Sequence, residues 1–195
     1  FSHPGLFDVG LVAFDQVGFS DTSVYQSLVQ IDTLYGDIDW DAEVTNNDAN
    51  LVLSHITGDE LLSPLQQATG DASNSASLSA FDASLILQFI SGNLDGIPID
   101  NSDSFIANGD LQSSEIFGEV GEIVTIPISI ENSNNLLSFA ISFTYNNVQL
   151  ESGSVYLGTI SDYGFLVESS VSDSGSIIVS GASPTPIDGD LDLFT

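Results

Sequence analysis

Two stretches decide how this chain is read: Gly36–Gly58, GDIDWDAEVTNNDANLVLSHITG, and Gly70–Gly92, GDASNSASLSAFDASLILQFISG. They align without a gap at an offset of 34 residues, placing Asp37 over Asp71, Asp48 over Asp82 and Gly58 over Gly92. In each copy, oxygen-bearing residues recur at loop positions 1, 3, 5, 7, 9 and 12. An apolar helix pattern follows, written Ala49, Leu51, Val52, Leu53, Ile56 in the first copy and closed by Gly58 at the position where glycine ends helices.

This is the ligand spacing of an EF-hand calcium loop, and the chemistry explains the residue types. Calcium is a hard ion that takes six to eight oxygens in a flexible cage. Asp37, Asp39 and Asp41 alternate, so one loop can aim three carboxylates at a common centre. Glu43 would offer its backbone carbonyl, Thr45 a hydroxyl or a bound water, and Asp48 a carboxylate from the first helical turn. The second copy keeps Asp71 and Asp82 but places Ser73, Ser75, Ser77 and Ser79 between them. With fewer charges it is expected to hold calcium more weakly. Position 6 is Ala42 or Ala76 instead of the usual glycine.

The pair resembles a dockerin module, two loop–helix calcium repeats that lack the incoming helix of a full EF-hand and carry Asp at position 12. Asp59-Glu-Leu-Leu-Ser-Pro-Leu-Gln-Gln fits the linking helix of that family. The resemblance implies a domain over 36–92 holding two calcium ions, the second more weakly. It also implies partner-contacting pairs just before the last ligand, here Asn46-Asn47 and Ala80-Phe81, which do not match each other.

Composition bounds the remaining classes. The 195 residues contain no Lys or Arg against 28 Asp plus Glu, for a net charge of −28. Acidic residues are an ordinary 14% of the chain, so the imbalance comes from missing cations. That sign excludes nucleic acid and anionic membrane surfaces as partners. It leaves bound cations or screening to limit self-repulsion, and offers trypsin-like proteases no cleavage point, as suits an extracellular material. Cysteine is absent, so no disulfide is used, and there is no run of eighteen apolar residues for a membrane span. Methionine is also absent, and Phe1 is not expected to be the translated start.

No catalytic constellation is expected. His55 falls near the end of the first helix, where a histidine meets the last carbonyls, and His3 has no recognisable partner. Neither a phosphate loop, a Gly-x-Ser-x-Gly elbow nor a His-Glu-x-x-His motif occurs. The carboxylates that might form a glycosidase pair are already explained by calcium. Trp40 is expected to pack on a neighbouring domain, not to stack on a sugar, and no aromatic platform for a carbohydrate-binding module is found. Asp188, Asp190 and Asp192 alternate on a strand, reading as a solvated edge or an extra cation site. Ser183-Pro-Thr-Pro reads as an O-glycan site on composition.

The flanks read as β. Residues 1–35 alternate as three short strands through Phe7, Val9, Leu11, Ala13, then Val17 and Phe19, then Val24 to Ile31. Residues 93–104 read as a linker. From about Phe105 short strands follow at Val120–Ile130, Leu137–Tyr145, Val155–Leu157, Gly164–Val167 and Ile177–Val179, a spacing that suggests a sandwich. GEVGEIVTIPISIENSNNLLSFAISFTYNNVQLESGSV, with its Tyr145-Asn-Asn-Val-Gln-Leu150 corner, resembles the opening half of a cohesin domain, a jelly-roll β-sandwich. The fold class is therefore mainly β with a small α module: a cohesin-like sandwich over 105–195 whose closing strands resemble residues 1–35.

Asp188 to Thr195 reads on into Phe1 to Phe19 as a nearly complete cohesin ending. The expected junction residues are Phe1, Phe7, Val9 and Leu11 on one side and Phe194 and Thr195 on the other. The strands can come from a neighbouring subunit, from the next unit of a tandem repeat, or from the chain itself. The expected function is a structural subunit of an extracellular, calcium-stabilised filament whose partners are copies of itself. A cohesin/dockerin scaffold of a cellulosome-like complex is the alternative.

Overall fold

The computed structural model describes residues 5–31, 34–99, 108–145, 155–172 and 175–195. Within them lie a two-stranded sheet, a four-stranded antiparallel sheet and three α-helices.

β1 (Gly5–Phe14) and β2 (Ser20–Ile31) form a hairpin. Val17 does not start a further strand, because Asp15 turns the chain: its Oδ1 accepts the amides of Val17 and Phe19, each at 2.9 Å. A register shift between Phe7 and Val9 is matched by Ser27, which adopts φ 52° and donates its amide to Asp8 Oδ1 at 2.7 Å.

The helices are α1 (Asn46–Thr57), α2 (Pro64–Gly70) and α3 (Ala80–Ile90). Thr45 caps α1, Ser63 caps α2 with Pro64 in its first turn, and Gly58 ends α1 at φ 88°. α1 and α3 share a core of Ile38, Ala49, Val52, Leu53, Leu85 and Ile86. The expected linker is a clasp over its described part. Leu94, Ile97 and Ile99 pack on this core, and the Ile99 amide donates to Ala72 O at 2.9 Å.

β3 (Asn108–Ser113), β4 (Ile128–Thr144), β5 (Leu166–Ser172) and β6 (Ser176–Phe194) make the larger sheet, in the order β3-β4-β6-β5. Fewer, longer strands replace the short ones expected. Residues 114–127 form no strand, and the stretches expected at 120–130 and 137–145 merge into β4. Of Val155–Leu157 only a single bridge remains, Leu157 to Phe194. Pro127 contributes to the late start, since it has no amide to give a ladder.

These long strands double back. Extended at ~3.3 Å per residue, β4 would put Phe143 about 50 Å from Ile128, the partner of Phe194. The Phe143 and Phe194 rings instead meet edge to face at 5.8 Å. The bend sits where the β4–β6 register shifts, between Ile130 and Ser138. There Asn132 and Asn135 take left-handed φ of 54° and 56°. Asp190 accepts the Asn132 amide at 2.9 Å, Asp188 accepts the Asn135 amide at 2.8 Å, and Ser133 Oγ donates to Gly189 O at 2.6 Å. So Asp188 and Asp190 brace a corner instead of lining a plain solvated edge. Strands that switch layers through such bulges fold one sheet into two facing layers. The second core lies between them, built on Ile128, Val179, Leu191, Leu193 and Phe194, with Ile160 of a 3-10 turn (Thr159–Tyr163) and Phe165 beside it.

The helices back this folded sheet. Ala182 and Leu166 join the helical core, and Ser84 Oγ of α3 donates to Ser183 O of β6 at 2.9 Å. Gln88 reaches Ser84 Oγ at 3.2 Å, and Asn93 Nδ2 donates to Pro184 O at 3.2 Å. Ser183 is fully buried, so of the expected glycan stretch only Thr185 and Pro186 are exposed.

Candidate metal centre

The first loop gathers its carboxylates by giving each one backbone amides. Asp37 accepts Asp41 N at Oδ1 (3.1 Å) and Ala42 N at Oδ2 (3.0 Å). Asp39 accepts Asp41 N at 3.2 Å and the Asn47 side-chain amide at 2.7 Å. Asp48, on the first turn of α1, reaches back. Its Oδ1 accepts Ile38 N at 2.7 Å and Asp39 N at 3.3 Å, and its Oδ2 accepts Thr45 N at 2.8 Å. The chain can wind this tightly because Trp40 and Ala42 adopt left-handed φ of 62° and 74°.

One oxygen each from Asp37, Asp39 and Asp48 lies within 4.8 Å of the others. Asp37 and Asp48 are buried, Asp48 completely. Burial pushes the Asp37 carboxyl above its ordinary 3.8, with the charge of Asp48 adding to the rise and amides from Ala42, Trp40 and Asp41 opposing it. Like charges this close are relieved by a cation between them, and an all-oxygen donor set suits a hard divalent ion such as calcium. Among the expected ligands Asp41 is exposed and turned to Glu43 N at 2.9 Å. Glu43 is exposed, and Thr45 Oγ1 accepts Asn47 N at 3.2 Å as the helix cap. Thr45 Oγ1 also donates to Asp48 Oδ2 at 3.3 Å, so it lies beside the clustered carboxylates, and the expected contribution of Glu43 is its backbone carbonyl.

The second loop repeats the backbone with different side chains. Asn74 and Ala76 take φ of 55° and 67°, the counterparts of Trp40 and Ala42. Asp71 accepts Ser75 N at 2.9 Å and Ala76 N at 2.8 Å, and Asp82 accepts Ser73 N at 2.9 Å and Ser79 N at 2.8 Å. At position 3, Ser73 donates its hydroxyl to Asp71 Oδ1 at 3.3 Å where the first loop has a carboxylate. Ser75 Oγ donates to Ser77 O at 3.0 Å, and Ser79 Oγ to Asp82 at 2.9 Å. Two carboxylates and a set of hydroxyls are thus present, a set of lower charge.

The other expected residues fall into place around these loops. His55 Nδ1 accepts Leu62 N at 3.2 Å and lies 3.2 Å from Glu60 O, so it pins the segment after α1. Asn46 and Asn47 are exposed, whereas Ala80 is buried and Phe81 half-buried. Of the junction residues, Phe1 lies outside the described residues, as do His3 and residues 146–150 of the Tyr145 corner. Phe7 and Val9 sit in β1, and Leu11 is exposed there. Phe194 is buried in the second core, and Thr195 exchanges two 2.8 Å backbone hydrogen bonds with Tyr156.

What sequence reading missed is the use of the position 12 carboxylates as helix caps. The signal was present in Thr45-x-x-Asp48 and Ser79-x-x-Asp82, each a capping-box spacing. No helix among the described residues is long and apolar enough to cross a membrane. Compared with known proteins, the chain matches no family model, no curated protein and no solved structure, so what it does must be argued from its own loops and strands.

Proposed function

We propose that this chain is a structural subunit of an extracellular filament or matrix, braced by calcium in the 36–92 module and joined copy to copy by strand complementation. One observation carries the reading. The β1–β2 hairpin makes no more than marginal contact with the helices or the larger sheet, and it is apolar on both sides. Leu11 is 63% exposed, Phe14 72% and Phe19 76%, and the adjacent Val12, on the opposite face of β1 from Leu11, is exposed as well. A two-stranded hairpin is marginal by itself in water, and so many exposed apolar side chains on one hairpin support its use as an interaction site.

Calcium fits as a brace because its loops end in the helices that back the folded sheet. Binding to the native loops stabilises the fold by mass action. The partner is taken to be another copy, since a head-to-tail contact that does not close into a ring propagates as a fibre. The rival, a module docking on a separate cohesin in a cellulosome-like scaffold, draws on the exposed Asn46-Asn47 pair. Against it, α3 is spent on the chain's own β6.

Electron microscopy of the full-length protein with calcium tests the proposal. Polymers are expected, and Leu11→Asp with Phe14→Asp should reduce them to discrete particles of unchanged fold. Discrete particles from the unaltered chain at every concentration would overturn it.

A further inference from the structure

The larger sheet does not protect its edges equally. β3 carries Asp110 on one outer edge, and β5 carries Glu168 on the other. Beyond the bend there is a third edge. From Ser138 to Thr144, β4 pairs with β6 on one side and with no strand on the other among the described residues, because β3 accompanies it only as far as Asn134. This edge, SFAISFT, has no charge, no proline and no glycine. Charges, prolines and short length are the devices that keep edges from pairing with another chain, and none is present here.

The side chains agree with the backbone. Phe139, Ile141 and Phe143 pack on the second core yet stay only half-buried, and no strand among the described residues pairs beside them on this edge. Ala140, Ser142 and Thr144, on the other face, are exposed.

We infer that this open edge of β4 receives β2 of a second copy, an added strand that continues the β4–β6–β5 layer. The inference rests on the filament reading and names its docking address. Charge selects the pair. In a chain of net −28 with no Lys or Arg, a carboxylate buried between copies has no side-chain cation other than histidine to meet it, so copies join most favourably where both faces lack acid. β2 meets that condition from Thr22 to Ile31, ten residues without a charge, whereas β1 carries Asp8. Val24 and Tyr25 of β2 are exposed on opposite faces, so in an added strand one of them lies over the half-buried row of Phe139, Ile141 and Phe143. Because like-charged surfaces surround the joint, screening should promote it.

Hydrogen exchange on the full-length protein, before and after assembly, reads the address directly. Amides within Ser138–Thr144 should slow by at least about tenfold on assembly, while those of β3 and β5 should not. The chain has no native cysteine, so a second measurement is clean. Ser142→Cys and Val24→Cys proteins, mixed and oxidised, should give a disulfide between the two different chains. Unchanged exchange at 138–144, or cross-links from Val24→Cys only to β3 or β5 cysteines, would overturn the address. If assembly is then still lost in the Leu11→Asp, Phe14→Asp protein, the hairpin keeps its role and only the address fails. Assembly unaffected by that variant overturns both.

Discussion

The two calcium-type loops share a backbone and differ in chemistry. Each winds through left-handed residues at positions 4 and 6, and each returns a fully buried aspartate from the following helix to cap its own first turn. The first loop converges three carboxylates, while the second replaces the position 3 carboxylate with Ser73. Yet the less charged loop leads into the more deeply packed helix. α3 is buried from Asp82 through Gln88 and hydrogen-bonded to β6, whereas α1 keeps a partly open face. One copy gathers three carboxylates that could hold an ion, and the other packs its helix more deeply against the sheet.

The comparison breaks first at the capping aspartates. Asp82→Ala leaves the amides of Ser73 and Ser79 without their acceptor at the foot of the docked helix, and unfolding in denaturant should reveal a loss of about 3 kcal/mol. Asp48→Ala should lose somewhat less in calcium-free buffer, because α1 bears less of the packing. Equal losses would mean that α3 is no more an anchor than α1.

Exchanging ligands sharpens the contrast. Calorimetric titration should resolve one tight and one weak calcium site. Ser73→Asp should tighten the weak one by roughly tenfold, about 1.4 kcal/mol, and Asp39→Ser should loosen the tight one by a similar factor. Two sites of equal affinity in the unaltered chain would erase the distinction.

A smaller effect should be shared by both loops. Ala42 and Ala76 occupy a conformation that favours glycine, so Ala42→Gly and Ala76→Gly should each raise stability by up to about 1 kcal/mol, read from thermal melts. The smallest effect is the pH dependence of the first loop. Asp37 titrates above 3.8 in the folded chain, so without calcium its contribution to stability is present below 3.8 and is lost as pH rises through the raised value. Melting temperature in chelator should therefore fall over that window, and Asp37→Asn should flatten the slope. With calcium present the slope should reverse, since protons and metal compete for the same oxygens.

How much could be read in advance follows from the range of each interaction. The loops were legible because their recurring oxygen-bearing residues lie within twelve consecutive positions, and so was the helix end at Gly58. The strands were legible only as strands. Alternation at 120–130 is the same whether or not a partner is present, and the turn over Val17, held by Asp15 only two residues before it and followed by Gly18, was hidden behind the apolar alternation. The positive φ of Asn132 and Asn135 could not be anticipated either, because it is supported by Asp188 and Asp190 more than fifty residues away.

Taken alone, the order of residues determined the twin loops, their unequal charge, the helices that follow them and a surface without cations, since each depends on neighbours along the chain. Tertiary structure alone decided that one sheet bends over itself, that α3 is pinned to Ser183, and that the hairpin makes no more than marginal contact with either. Those outcomes depend on which distant backbone groups satisfy one another. Hydrogen bonding and burial select such partners in space, and a pattern of alternating side chains carries no record of the choice.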